Sequence, residues 1–292
     1  MSTLPGAEPP VEGNGSLASH AVHGKLSWAL RSEPGDVRPH NEDFAAVHVP
    51  GIPDDAWTQS PLFVVADGLG GHAAGEVASR LATEAVLEAW RSSSPGQARQ
   101  SLRAAVRAAN AAVYDAALEA GRKGMGTTLT VLALAGQEAV VAHVGDSRAY
   151  LVRRGVCSQL TTDHSRAAEM LRMKLITPEQ AATHPGRSML TRSLGGDPTI
   201  QVDVATSDLA QDDVFVLCSD GLWDAVSRSE ITSVAEGIGG GELPTPAEAA
   251  DALVDLALKR GTPDNVTAVV VQVTSSRPIP PTGPRRGFLR RR

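Results

Sequence analysis

Residues 61–72 read PLFVVADGLGGH, an apolar run that ends at a carboxylate and continues into glycines. The run has the length and composition of a buried β-strand. Asp67 stands at its end, and three of the next four residues are glycine. Glycine is used where φ must be positive or where another group comes close to the main chain. We therefore expect a buried strand that carries Asp67 to a site where a group approaches the backbone of Gly68.

Length and composition predict a single globular domain. The chain has 292 residues, of which 42% are hydrophobic, enough to bury a sizeable core. No apolar run reaches the roughly 18–20 residues needed to cross a bilayer, and the N-terminus lacks the basic-then-apolar pattern of a secretory signal. Cys157 and Cys218 are the only cysteines, too few for a disulfide framework or a zinc site. We expect a cytoplasmic protein.

Charge is unevenly distributed along the chain. The net charge is −6, yet six arginines and no acids fall within 274–292, so the remainder is strongly acidic. An acidic body repels nucleic acid, and we expect no nucleic-acid partner. The basic tail, which contains Phe288 and Leu289, has the composition of a segment that touches anionic membrane. A solvated, solubilising end is the simpler interpretation of the same residues.

The two ends of the chain differ in composition from the middle. Residues 1–23 are rich in Gly, Pro, Ser and Ala without periodicity, which predicts a disordered N-terminal arm. Residues 275–292 are rich in Pro and Arg, which predicts a disordered tail. Between them there is no internal repeat and no linker, so we expect one domain over 24–274.

Helix and strand signals inside this domain predict an α+β fold. Apolar residues at 3-and-4 spacing predict helices at 74–91 and 98–120, and Thr177 and Thr245 begin two more, each followed by proline. Strands are predicted at 25–31, 43–49, 61–66, 127–135, 138–144, 148–153, 213–218 and 266–273. Because strands and helices do not alternate strictly, antiparallel sheets covered by helix pairs fit better than a parallel sheet.

Several other acids share the setting of Asp67. An acid stands at a strand end beside Gly or Asn at Asp146, Asp220 and Asp264, and Glu42 and Asp43 open a further strand. One such acid alone is most simply a turn residue, because Asp hydrogen-bonds its own backbone. Several acids, each with an apolar strand beside it, predict instead that carboxylates converge at one end of the core.

Converging carboxylates need a partner of opposite charge. They repel one another, and burying them uncompensated raises their pKa values or destabilises the fold. A divalent cation removes both problems. Because the ligands are oxygens and no Cys/His cluster is present, the expected metal is Mg²⁺ or Mn²⁺. The carbonyl of Gly68 would coordinate beside the Asp67 carboxylate, and the glycine leaves room for it.

The order of the motifs resembles a known family. NED, ADGLGGH, GMGTTLT, HVGDSRAY, LCSDGLWD and GTPDNVT follow one another between about Lys25 and Val273. This order is similar to that of the metal-dependent serine/threonine protein phosphatases of type 2C, in their bacterial form. Leu69 and Thr262 depart from the common pattern without removing a ligand. The resemblance implies a four-layer αββα sandwich, with two antiparallel sheets packed face to face and flanked by helix pairs.

The resemblance also implies the roles of the acids. Asp67 would bridge two tightly held metals, Asp220 and Asp264 would hold the first, and the carbonyl of Gly68 the second. Asp43, with Glu42 beside it, would complete the cluster directly or through waters. Asp146 and Ser188 match the positions that hold a third, looser metal.

Two further residues have roles implied by the same likeness. Arg38 matches the arginine that clamps the substrate phosphate, which a guanidinium does by bonding two oxygens at once. His72 is either a general acid for the leaving oxygen or a structural residue at the helix start, and the structural role is the simpler one. His164 and His184 are weaker candidates for the acid.

The implied reaction is hydrolysis of phosphoserine and phosphothreonine in proteins by a metal-activated water. The expected partners are phosphoproteins, the enzyme would oppose a bacterial serine/threonine kinase, and we expect a monomer. Two alternatives remain open. One is a pseudophosphatase that binds partners without turnover, which would be expected to lack metal-holding acids. The other is a phosphatase of small phosphate esters, which would need the same ligands.

Overall fold

The computed structural model describes residues 17–23, 26–50, 60–70, 74–93, 96–240 and 245–274. Strands and helices fall close to the predicted positions. The strands are β1 (Leu17–His23), β2 (Leu26–Glu33), β3 (Asp43–His48), β4 (Leu62–Leu69), β5 (Gly126–Thr127), β6 (Leu129–Ala135), β7 (Glu138–Val144), β8 (Arg148–Arg153), β9 (Val156–Gln159), β10 (Asp203–Asp208), β11 (Val214–Cys218) and β12 (Val266–Val273).

The helices predicted from Thr177 and Thr245 begin at these capping residues, whereas the helix predicted over 98–120 ends at Ala117. They are α1 (Ala74–Arg91), α2 (Ala98–Ala117), α3 (Arg166–Arg172), α4 (Pro178–Ala182), α5 (Asp220–Trp223), α6 (Arg228–Gly240) and α7 (Pro246–Lys259). Thr177 and Thr245 each form a capping box with Pro in the first turn, because the Thr hydroxyl accepts from the backbone three residues on. Within the described residues, no helix is long and apolar enough to cross a membrane.

Two antiparallel sheets form the middle of the molecule. One has the strand order β1-β2-β12-β11-β8-β9, and the other has the order β10-β7-β6-β4-β3 with β5 beside β4. Apolar residues between the sheets form one core cluster. A second cluster packs α1 and α2 on the sheet containing β4, and a third packs α6 and α7 on the other sheet. The predicted αββα sandwich is confirmed.

The N-terminal boundary of the domain needs a correction. Residues 17–23 lie in the segment predicted to be disordered, yet they form β1, which pairs with β2 from Leu17↔Ser32 to His23↔Leu26. The segment lacks apolar periodicity because it is an edge strand whose stability comes from backbone pairing with β2. The remainder of the predicted arm, 1–16, and the tail, 275–292, lie outside the described residues.

Strand register carries the acids to one region. β3 and β4 pair so that Asp43 faces Asp67, and β11 pairs with β12 so that Cys218 faces Ala268. Asp220 follows β11 by two residues, and Asp264 precedes β12 by two. The acids of both sheets therefore leave their strands at the same end of the sandwich.

Candidate active site

Asp67 is fixed through its main chain. Its amide donates to Thr128 Oγ1 at 2.9 Å, and its carbonyl accepts from Thr127 Oγ1 at 2.9 Å. On the next strand, Asp43 lies directly opposite. Like charges opposite each other across two strands repel, so the β3–β4 register creates a buried electrostatic conflict at this point.

Gly68 is required by packing. A Cβ at this position would lie 2.2 Å from the carbonyl oxygen of Gly75 and 2.5 Å from that of Glu42. The amide of Gly68 donates to the Glu42 carbonyl at 3.0 Å. The missing side chain at Gly68 thus makes room for the first turn of α1 and the main chain of Glu42. Coordination of a metal by the Gly68 carbonyl stays a prediction.

Asp43 is held by two hydroxyl groups. Ser219 Oγ and Thr267 Oγ1 each donate to Asp43 Oδ2 at 2.6 Å, and Thr267 Oγ1 also lies 2.7 Å from Ser32 Oγ. Burial raises the pKa of Asp43, and the charges of Asp220 and Asp264 add to the rise, although the two hydroxyls oppose it. The residue thus joins the two sheets at the acidic end of the sandwich.

Asp220 and Asp264 are brought together by contact between their loops. A Cβ at Gly221 would lie 2.1 Å from the carbonyl oxygen of Asn265. Asn265 then fastens the loop before β3, because its Nδ2 donates to the carbonyls of Pro34 and His40 and its Oδ1 accepts from the amide of Glu42.

Arg38 lies at the solvent side of the acids. Its Nη2 is 2.8 Å from Asp264 Oδ2, and 47% of its side chain is exposed. Glu42 lies nearby, against the first turn of α1, because a Cβ on Gly75 would be 2.8 Å from Glu42 Cδ. Burial raises the pKa of Glu42, and the Arg38 charge opposes this rise.

Asp146 occupies the turn between β7 and β8. Its carbonyl accepts from Trp223 Nε1 at 3.0 Å, and the guanidinium of Arg148 lies 3.5 Å over the Trp223 ring. Burial, followed by the charge of Asp220, raises the pKa of Asp146 to about 8. Asp146 is therefore near the same acidic centre but is approached from a different loop.

The electrostatics of the centre fit a hard divalent cation. Burial raises the pKa of Asp67 well above its usual range, and the charges of Asp43, Asp220, Asp146 and Asp264 raise it further. All of these donors are oxygens, the ligands that Mg²⁺ and Mn²⁺ prefer. Within the described part of the chain, no three acidic, imidazole or thiol side chains are preassembled as a metal-binding group. Protein partners instead engage Asp43 and Asp264.

Comparison with known proteins identifies the family. A family model described as protein phosphatase 2C matches residues 51–253. The chain belongs to the protein phosphatase 2C family. It is 40% identical over 252 residues to the serine/threonine protein phosphatase PstP of Mycobacterium tuberculosis, a match that covers 85% of this chain and 45% of PstP. The chain therefore spans less than half the length of that relative.

Two further similarities support the assignment to the phosphatase 2C family. The serine/threonine phosphatase stp of Listeria monocytogenes is 35% identical over 248 residues, which is 83% of this chain and 94% of stp. A solved structure of the PstP catalytic domain in complex with two manganese ions superimposes with a TM-score of 0.72 at 37% identity and covers 86% of this chain and 99% of that chain. The resemblance seen in the sequence motifs is thus confirmed.

The remaining predicted site residues of this phosphatase 2C domain are placed less centrally. Ser188 is exposed, on the segment between α4 and β10, and it makes no hydrogen bond to Asp146 in the described structure. Its neighbour Arg187 pairs with Asp224, just after α5. His184 accepts from the Gly186 amide through Nδ1, which is a local structural role. His72 lies outside the described residues.

Three residues of the phosphatase 2C centre were not expected from the sequence. Ser219 and Thr267 donate to Asp43, and Trp223 donates to the Asp146 carbonyl. A signal existed for Ser219 and Thr267, since a buried hydroxyl within or beside an apolar strand needs a polar partner. No sequence pattern identifies the partner in any of the three cases, because these bonds join residues 77 to 224 positions apart.

Proposed function

We propose that this chain hydrolyses phosphoserine and phosphothreonine in proteins with Mn²⁺ or Mg²⁺ as cofactor. The observation that carries the proposal is the set of acids from both sheets, Asp43, Asp67, Asp220 and Asp264. Burial and the charges of neighbouring acids raise the pKa values of Asp43, Asp67 and Asp220. Such a set is costly unless cations neutralise it. Arg38, which is half-exposed beside Asp264, supplies positive charge at the solvent side of these acids.

The residues that would hold the metals are assigned from the resemblance to the family. Asp67 would be shared by two ions, Asp220 and Asp264 would hold one, and the Gly68 carbonyl the other, with Asp43 and Glu42 completing the set. Asp146 and Ser188 would hold a third ion more loosely. When bound, the metals supply a water acidified for attack and charge to neutralise the phosphoryl oxygens.

The chain's own residues would orient the substrate. Arg38 has a guanidinium with several N–H donors, and one of its terminal nitrogens already contacts Asp264. Donors left over can bond two phosphate oxygens at once, which a lysine cannot do. Asp264 thus holds Arg38 in place, and Asn265 holds the loop that carries it.

The wider role is proposed from the family and from composition. The catalytic domain would comprise residues 24–274 with β1 added, and it would act as a monomer in the cytoplasm. Its substrates would be phosphoproteins made by a bacterial serine/threonine kinase, and it would have no nucleic-acid partner. The basic tail is proposed as a solvated end, and binding to anionic vesicles that disappears when 275–292 are deleted would show membrane contact instead.

The proposal is tested by phosphate release from a phosphothreonine peptide with Mn²⁺, with Mg²⁺ and with chelator. We expect turnover that needs the metal and that Asp67→Asn abolishes. Metal binding without release from any peptide or small ester would indicate a pseudophosphatase. Release from p-nitrophenyl phosphate with none from phosphopeptides would indicate a phosphatase of small esters.

A further inference from the structure

Asp203, at the start of the edge strand β10, has no part in the site described above. Its Oδ1 lies 2.8 Å from Arg192 Nη1, and its Oδ2 lies 3.1 Å from His164 Nε2. These two partners are separated by 28 residues of sequence. They immediately flank residues 165–191, called the flap below, which contains α3 and α4.

The base of the flap is closed by pairing of its two ends. The Thr191 amide donates to the His164 carbonyl at 2.8 Å, and Ser165 forms an isolated β-bridge with Leu190. Asp203 contacts a side chain on each side of this closure. One carboxylate therefore ties both ends of the flap to the edge of the sheet.

His164 connects this base to the loop of Asp146. Its backbone amide donates to the Gly145 carbonyl at 2.7 Å, and its Nδ1 lies 3.0 Å from the Gly145 amide. Because the Gly145 amide can only donate, Nδ1 carries a lone pair and the ring proton is on Nε2. That proton is donated to Asp203. Arg192 Nη1 also lies 3.0 Å from His164 Nε2. Because Nδ1 already accepts from Gly145 and both of these nitrogens carry hydrogen, this contact is not a hydrogen bond, and the Asp203 carboxylate is the acceptor that the two nitrogens share.

The imidazole is held tightly in this orientation. Only 2% of His164 is exposed, and the ring of His143 lies against it with centroids 4.9 Å apart. His143 in turn lies 2.9 Å from Thr130 Oγ1 through Nδ1. A rotated or re-protonated His164 would leave the Gly145 amide without its acceptor.

Gly145 has little freedom to adjust. Its φ is +111°, and a Cβ would lie 2.5 Å from Thr128 Cβ. The next residue is Asp146, whose carbonyl is held on the other side by Trp223. The orientation of the Asp146 main chain is therefore set by His164 before it and by Trp223 after it.

We propose that Asp203 and His164 are positioning residues that couple the flap to Asp146: the Asp203 carboxylate fixes the Nε2–H tautomer of His164, whose Nδ1 then orients the Gly145–Asp146 turn. The coupling rests on the proposed function in that Asp146 is taken as a metal ligand. It adds that the flap and the Asp146 site are adjusted together, because one carboxylate serves both.

Substitutions in the full-length chain can test the roles of Nδ1 and Nε2 of His164 separately. His164→Asn keeps an acceptor where Nδ1 stood and loses the contact to Asp203. His164→Gln places a donor near Asp203 and loses the acceptor for Gly145. Asp203→Asn weakens the contacts of residue 203 with both His164 and Arg192. The matched control is Asp208→Asn, because Asp208 is an exposed acid on the same strand.

Two measurements read the coupling without relying on turnover. Calorimetry with Mn²⁺ gives the affinity of the class of sites that Asp146→Ala removes, and hydrogen–deuterium exchange gives the opening of the flap. For His164→Gln we expect affinity lowered by about 10-fold or more, the cost typical of a residue that supports a ligand, with slow flap exchange. For His164→Asn we expect nearly unchanged affinity with faster flap exchange. Asp203→Asn should change both, and Asp208→Asn neither.

Three results would overturn the coupling. The first is an Asp203→Asn variant with normal Mn²⁺ affinity and normal flap exchange. The second is a set of variants that all lose Mn²⁺ affinity and flap protection in proportion to a lower melting temperature. The third is an Asp146→Ala variant that loses no class of Mn²⁺ site. The proposed function fails separately. If the wild-type chain binds Mn²⁺ but releases no phosphate, the calorimetric and exchange results still decide the coupling.

Discussion

Asp67 and Asp146 are both buried acids near one centre, but different parts of the structure hold them. Asp67 sits inside β4, and its position follows from pairing with β3 and from the Thr127 and Thr128 bonds. Asp146 sits in a turn, and two side chains from distant parts of the chain, His164 and Trp223, bond to the main chain of Gly145 and Asp146. Regular backbone pairing makes the first rigid, whereas the second depends on contacts that single substitutions can remove.

The largest effect is expected at Asp67, the acid that strand pairing holds in place. Asp67→Asn removes the carboxylate that would be shared by two metals, so kcat should fall by at least about 100-fold, since even residues that only support ligands cost 10–100-fold. The fold should persist, and the metal-free variant should melt at the same or a higher temperature because a repelled buried charge is gone. Steady-state kinetics and thermal unfolding check this, and near-normal turnover would contradict it.

Arg38 extends the comparison of Asp67 with Asp146, because it contacts Asp264 of the acidic centre but does not belong to a strand. Arg38→Ala should raise KM for a phosphopeptide by about 10–100-fold, since hydrogen bonds to charged groups contribute about 1.5–3 kcal/mol. Metal affinity should stay the same. Arg38→Lys, which keeps the charge but loses the two-pronged donor, should recover little of the loss. A variant with unchanged KM and kcat would remove Arg38 from the site.

Asp146 tests the other half of the comparison. Asp146→Ala should lower phosphopeptide turnover and raise the metal concentration needed for full rate, by about 10-fold if its ligand role resembles that of a supporting residue. Calorimetry should show one class of metal lost and the tight sites kept. Should the variant lose all bound metal, Asp146 would belong to the same rigid unit as Asp67, and the contrast between the regions would be wrong.

A smaller effect concerns pH. Burial and neighbouring acids raise the pKa of Asp146 to about 8, so between its ordinary pKa and that value the metal-free folded state binds more protons than the unfolded state. Its stability therefore falls as pH rises through this window. Bound metal removes the effect, so the gain in melting temperature from saturating Mn²⁺ should be larger at pH 8 than at pH 5. Equal gains at both values would contradict this.

What the sequence could predict follows the same division. Apolar runs and their terminal acids are local signals, so the strands that carry Asp67, Asp220 and Asp264 were predictable. The bonds of Ser219 and Thr267 to Asp43 and the link from Asp203 to His164 join distant parts of the chain. No local pattern encodes such pairs. Gly68 lies between these cases, because the sequence indicated a close approach but not that α1 makes it.

The central claim is that the acids of both sheets form one metal centre organised around Asp67. Anomalous X-ray diffraction from crystals grown with Mn²⁺ tests it most directly. We predict two strong manganese peaks that share the Asp67 carboxylate, one also bound by Asp220 and Asp264 and the other by the Gly68 carbonyl. Manganese peaks that lie elsewhere, or none in contact with Asp67, would contradict the claim.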